Sequence, residues 1–216
     1  MNKYMKKVIS WFLIAMTLLA FPMTSFALES EPSLVVTFQD FTFGTNDYLA
    51  DEVNIEYVRE GNLEKAIIRD KDTNQILETM IVERTGARAV VTPYIFTRST
   101  SYGRTTVQLS INVELYNDGS FRQINSLQGS YLTISSSITP TYIEGQNVNV
   151  WSPGNVFPTT ELMYAYNGTL TAEVEVETSG SISAELLGAG FEYSYSAGSK
   201  IYYRRTFNTT GTISLY

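Results

Sequence analysis

Histidine and cysteine are both missing from the 216 residues, and their absence removes most catalytic chemistry at once. The chain lacks the imidazole that titrates between pH 5 and 8, the usual thiol nucleophile, and the commonest zinc and copper ligands. Ser-His-Asp, Cys-His and H-E-x-x-H mechanisms are therefore excluded. Paired carboxylates are the chemistry that composition leaves open, since two of them suffice to hydrolyse a glycoside. Glu173, Glu175 and Glu177 alternate along the chain, which on a strand puts all three on one face about 7 Å apart. The same spacing describes a solvated acidic strand face, and that is the reading adopted. Asp70, Asp72 and Asn74 have the spacing that opens a calcium loop, in which oxygen ligands stand at alternate positions. The pattern then fails, with Gln75 where the loop needs glycine and Ile81 where it needs glutamate, so the segment is read as a turn. Gly188-Ala189-Gly190 has no lysine beside it to make a phosphate loop. No catalytic residue, cofactor or metal ligand is assigned, and the chain is read as a protein that is not an enzyme.

Contact chemistry is better represented. Tyr166, Tyr193, Tyr195, Tyr202, Tyr203 and Tyr216 crowd the C-terminal third beside Trp151 and Phe191. Such rings have an apolar body and a polar tip; they suit sugar stacking, protein interfaces and membrane headgroups, and equally the filling of a β core. Lys200, Arg204 and Arg205 form the only basic cluster late in the chain. Tyr202, Tyr203, Arg204 and Arg205 are accordingly the candidate contact residues.

Charge and targeting bound the partner. Lys3, Lys6 and Lys7 precede an apolar run from Val8 to Phe21, then Pro22 and the small-residue stretch Ser25-Phe26-Ala27. That order reads as a signal peptide cleaved after Ala27, because the apolar run is shorter than the roughly 20 residues of a membrane-spanning helix. The expected mature protein is secreted. Cleavage would take three of the 15 basic residues and none of the 22 acidic ones, leaving a formal charge of −10. So acidic a protein does not bind nucleic acid through phosphate neutralisation, nor adsorb electrostatically to anionic membranes. A bacterial membrane or cell-envelope component is the expected partner, reached through local contacts.

The elements that must position these residues are strands. Val107, Leu109, Ile111, Val113 and Leu115 alternate with polar residues, and Asn117-Asp118-Gly119 follows as a hairpin turn before Phe121. Lys65–Arg69 and Gln75–Val82 flank turn-forming side chains and predict another hairpin. Asn167-Gly168 predicts a third, with Met163, Ala165, Leu170, Ala172, Val174 and Val176 on one face and Tyr164, Tyr166, Thr171, Glu173, Glu175 and Glu177 on the other. Arg98 to Arg104 reads as a loop, with a soft boundary near residues 97–106 within the secreted β-rich domain, residues 28–216. Ser181 to Gly190 fits a short helix or a small-residue strand; the alternation of Phe191, Tyr193 and Tyr195 favours a strand or irregular segment. Ile201 to Leu215 reads as one or two closing strands. The expected fold is all-β, with antiparallel, sandwich-like sheets built from hairpins and a helical leader ahead of them.

The stretch Val113 to Tyr131, opening Val113-Glu114-Leu115-Tyr116-Asn117-Asp118-Gly119, together with Tyr202-Tyr203-Arg204-Arg205, resembles the large secreted geobacillin-type bacteriocins of Gram-positive bacteria. The resemblance implies a heat-labile antibacterial protein acting on related bacteria, and it brings no residue-level site with it. Two function classes follow. One is an antibacterial, membrane- or envelope-active β protein, in which Leu170, Val174 and Val176 would insert and homo-oligomers would line a pore. The other is a non-catalytic extracellular binding or structural module of the cell surface.

Overall fold

Period-two alternation leaves a strand with one face to bury, and two such sheets can bury each other. The computed structural model describes residues 32–86, 90–119 and 121–215, and the expected leader lies outside them. The chain opens with β1 (Leu34–Thr37) and β2 (Phe41–Thr45). It then runs as a six-strand meander of β3 (Val53–Glu60), β4 (Leu63–Asp70), β5 (Ile76–Arg84), β6 (Val91–Tyr102), β7 (Thr105–Asp118) and β8 (Phe121–Ser136), which together form sheet II. After it come β9 (Thr141–Trp151), β10 (Glu161–Glu175), the helix α1 (Ser179–Gly188), β11 (Glu192–Ala197) and β12 (Lys200–Leu215). Sheet I has the order β1-β2-β12-β10-β9, with β11 paired to β12 beyond β2. All pairings are antiparallel, and the fold is an all-β sandwich.

The core lies between the sheets. From sheet II, Val107, Leu109, Ile111, Val113 and Leu115 are all buried on β7, as their alternation predicts. From sheet I, Phe41 and Phe43 meet Phe96 of β6 edge-to-face, with ring centroids 4.8 and 5.7 Å apart. Each such ring taken out of water contributes about 1.5–3 kcal/mol. Two predicted hairpins are present. Asp118 pairs with Phe121 across a turn in which Gly119 takes φ 64°. At the β4–β5 turn, Asp70 Oδ1 accepts hydrogen bonds from the backbone amides of Asp72 (3.1 Å) and Thr73 (2.7 Å) and from the Thr73 hydroxyl (2.7 Å). These bonds hold the Asp70 carboxyl below its ordinary value. The side chain that would have opened a calcium loop is occupied in closing the turn.

Three expectations are corrected. Asn167-Gly168 is not a turn: it lies in the middle of the 15-residue β10, where Asn167 pairs with Asn208 on one side and Asn147 on the other. Gly168 is there for close approach, because a Cβ on it would stand 2.8 Å from Ile143 Cγ2 and 3.0 Å from Phe207 Cζ. Opposite it the β9 register shifts, Gly145 taking φ 57°, which gives a β-bulge. Residues 98–102 are strand rather than loop, and β6 and β7 join by a turn at Gly103-Arg104 that marks no boundary; residues 32–216 form one compact unit. Ser181 to Gly190 is largely α1, which sends Leu186 into the core.

The strand assignment of residue 98 matters because Arg98 follows Phe96 on the inward face. It is 2% exposed and its partner Glu78, on β5, is fully buried. Both Glu78 carboxylate oxygens meet the guanidinium, through Nε and through Nη2 at 2.9 Å. Arg98 Nη2 also donates to Thr45 Oγ1 at 3.1 Å and to Asp47, and Nη1 donates to the Tyr164 hydroxyl at 2.8 Å. Beside it the hydroxyls of Thr100 and Tyr166 lie 3.3 Å apart. The network joins sheet II to β2, β10 and the segment after β2, so it fixes how one sheet sits on the other.

Burial first, and the nearby Glu78 carboxylate after it, hold the Tyr48 phenol far above the ordinary value; burial likewise raises Tyr102, Tyr164 and Tyr166. An unfolded tyrosine loses its proton near pH ~10, where these four still keep theirs. The unfolded chain therefore binds fewer protons as pH rises through that value, and stability falls. Absorbance titration of tyrosinate is expected to show a late group of ionisations coincident with loss of near-UV circular dichroism. Four additional tyrosines titrating near pH ~10 in the folded protein would contradict this burial.

Candidate binding face on sheet I

Alternation on β12 splits the basic-aromatic cluster between the two sides of the sheet. Tyr203 is buried and meets Tyr193 edge-to-face at 6.3 Å, while Arg205 lies over the Tyr102 ring at 4.3 Å. Tyr203 therefore belongs to the interior, and the half-buried Arg205 points to the same side of the sheet. Tyr202 and Arg204 point outward, into a surface to which four strands contribute.

Register shows how that surface is laid out. Thr171 of β10 stands between Tyr142 of β9 and Arg204 of β12; Glu173 stands opposite Tyr202, which in turn stands opposite Tyr195 of β11. Tyr195 and Tyr202 stack with centroids 4.5 Å apart and planes inclined by 17°. Tyr142 and Tyr195 are 42% and 47% exposed, so two of the three rings present substantial surface to a partner. Arg204 reaches across β10 to Glu144, and Lys200 pairs with Glu173. The first of these bridges passes over Thr171, which is 1% exposed although it faces outward. Slight desolvation and the Glu144 carboxylate raise the Tyr142 phenol above its ordinary value, and desolvation followed by Glu173 does so for Tyr202. The hydrogen bond from Lys200 to Glu173 raises that ammonium. Exposed ion pairs of this kind add little to stability; their value is in orienting the rings and in offering paired donors and acceptors to a ligand.

The acidic triplet does not survive as one face. Glu173 and Glu175 belong to β10, whereas Val176 and Glu177 lie in a short 3-10 turn that follows it, and Val176 is 48% exposed. Glu173 is paired with Lys200. Among the described residues no group of three or more acidic side chains converges to hold a metal ion.

Of the candidate insertion residues, Leu170 and Val174 are in the core, whereas Val176 is half-exposed in the turn that follows β10. Leu170 and Val174 are 0% and 1% exposed, on the face shared by Leu162, Tyr164, Tyr166 and Ala172, and not on the face of Met163 and Ala165. β10 is hydrogen-bonded along its length to β12 on one side and β9 on the other. Tyr142 and Glu144 were missed by sequence reasoning, and no local signal would have found them. Their place in the site depends on β9 pairing with β10, a partnership between strands separated by a loop and a 3-10 turn.

The fold and this face define an antiparallel β-sandwich with an exposed aromatic and charged sheet surface. No protein-family model, no curated protein and no solved structure matches the chain.

Proposed function

We propose that this chain is an exported, non-catalytic protein that binds a component of the Gram-positive cell envelope through the outer face of sheet I. The observation that carries the reading is the clustering of Tyr142, Tyr195 and Tyr202 with the Glu144–Arg204 and Glu173–Lys200 pairs on an exposed sheet surface. Rings with a polar tip, set among orienting charge pairs, suit the polyhydroxylated and amide-bearing polymers of an envelope. The resemblance to geobacillin-type bacteriocins supports growth inhibition as the consequence of such binding. A cell-surface structural module is the alternative end use of the same contact.

The test is co-sedimentation of the purified protein with isolated Gram-positive cell walls, run beside growth inhibition of the same strains. The double variant Tyr195→Ala/Tyr202→Ala is expected to lose wall affinity by about tenfold or more, as removal of central aromatic contacts does, with its melting temperature little changed because both rings face outward. A folded double variant that sediments like the parent would overturn the assignment of this face. Inhibition that follows binding would support the antibacterial role; binding without inhibition would support the structural one.

A further inference from the structure

At the far end of the sandwich, about 40 Å along β12 from Tyr202 at ~3.3 Å per residue, the inward face of sheet II changes character. On β4 the buried Ala66 and Ile68 give way to Glu64; on β5, Met80 and Val82 give way to Arg84. On β6, Phe96 is followed outward by Tyr94 and Thr92, on β7 Leu115 by Asn117, and on β8 Ile124 by Arg122. Five adjacent strands thus turn polar together where their core alternation would otherwise continue. Beyond the edge of sheet I these side chains line a pocket of about 510 Å³, with Gln39 and Asp40 of the β1–β2 turn and Asn62 of the β3–β4 turn on its other walls. That volume suits a small ligand.

Its charges are unevenly matched. Arg122 pairs with Asp40 at 2.7 Å and Arg59 with Glu64 at 3.2 Å. Arg84 is different: its Nε is buried and has no hydrogen-bond partner among the described residues. A buried donor without an acceptor costs stability. The backbone around it is held on both sides, since Asn62 Nδ2 donates to the Arg84 carbonyl at 2.6 Å and the Arg84 amide donates to Asn62 O at 3.0 Å.

We propose that this pocket binds a small carboxylate-bearing sugar, with the carboxylate seated on the Arg84 guanidinium. A guanidinium offers two parallel donors to a planar carboxylate. The amides of Asn62, Asn117 and Gln39 supply the mixed donors and acceptors that sugar hydroxyls need. Asp40, Glu64 and Asp118 around the pocket repel a doubly charged phosphate more than a singly charged carboxylate. The site is separate from the outer face of sheet I, so neither stands or falls with the other.

The experiment is a nitrogen-15 NMR titration of the purified protein with D-glucuronate, D-glucose and inorganic phosphate. Glucuronate is expected to shift the amides of Asn62, Arg84 and Asn117, and glucose to bind at least about tenfold more weakly, as loss of a charge-assisted bond implies. Arg84→Gln is expected to weaken glucuronate by ~10- to 100-fold without lowering the melting temperature. Arg84→Lys restores only part of the affinity, because an ammonium lacks the fork. Asn117→Asp adds a repelling carboxylate at the pocket and serves as the second variant. Absence of glucuronate shifts, equal binding of glucose, binding of phosphate alone, or full affinity in a folded Arg84→Gln or Asn117→Asp protein would each overturn the proposal.

Discussion

Replacing Arg98 by methionine is expected to destabilise the protein by about 3–5 kcal/mol, because it leaves Glu78 buried without its counter-charge. Glu78 is fully buried, and burial raises its carboxyl while the neighbouring guanidinium draws it back toward the ionised form. Without Arg98 burial and the Asp47 carboxylate raise it against the Tyr48 hydrogen bond alone, and either a proton must be taken up or the sheets must part. Tyr164, Thr45 and Asp47 lose a donor in the same step. In a domain of this size each kcal/mol moves the midpoint by roughly 2–4 °C, so the loss amounts to about 6–20 °C, read by near-UV circular dichroism on heating. The double variant Arg98→Met/Glu78→Leu is expected to recover a large part of that loss, since a buried ion pair is often replaceable by apolar volume although it does not tolerate halving. A single variant that melts within two or three degrees of the parent would show that the network does not hold the sheets together.

Val174→Asp is the second large effect, and it bears on the route of action. Val174 is 1% exposed, between Leu170, Ala172 and the facing sheet. A carboxylate placed there faces the apolar Ile201 across the strand pair. Loss of the apolar contacts and burial of an unpaired charge together exceed about 4 kcal/mol, against a total stability of about 5–15 kcal/mol. The expected result is a largely unfolded or unsecreted product, so lost antibacterial activity in this variant would say nothing about membrane insertion. A lock discriminates. Asn167 and Asn208 are cross-strand partners on the outer face of β10 and β12, and the chain has no other cysteine to confuse pairing. Asn167→Cys/Asn208→Cys, oxidised, is expected to keep envelope binding in full if β10 stays in the sandwich. Activity that appears only after reduction would instead show that the strand must leave it.

How far each reading reached follows from the range of the interaction that decides it. The β4–β5 and β7–β8 hairpins were legible because their turns are made by side chains within a few residues, such as Asp70 capping the amides of Asp72 and Thr73. β10 was misread although its alternation is unbroken from Leu162 through Tyr164, Tyr166, Gly168, Leu170 and Ala172 to Val174. Tyr164 and Tyr166 fall on the polar face when Asn167-Gly168 is taken as a two-residue turn, because that pairs Tyr166 with Thr169 and turns both hydroxyls outward. Inside the sandwich those hydroxyls have partners in Arg98 and Thr100, so the rings can be buried without an unpaired polar group. Arg98 reads as loop because it opens the run Arg98-Ser99-Thr100-Ser101-Tyr102-Gly103-Arg104, whose composition is that of a turn.

Composition and period-two alternation are enough to specify the β class, the exclusion of histidine and cysteine chemistry, and the parity of β7. The sequence also contained the basic-aromatic cluster that supplies Tyr202 and Arg204. Only the tertiary structure decided that Tyr203 and Arg205 turn inward, that Tyr142, Glu144 and Tyr195 join Tyr202, and that five strands change from apolar to polar around Arg84. These depend on which strands lie side by side and how one sheet stacks on the other. Strand pairing between distant segments is set by the summed burial and hydrogen bonding of the whole sandwich, a free energy to which no local stretch of chain contributes enough to reveal it.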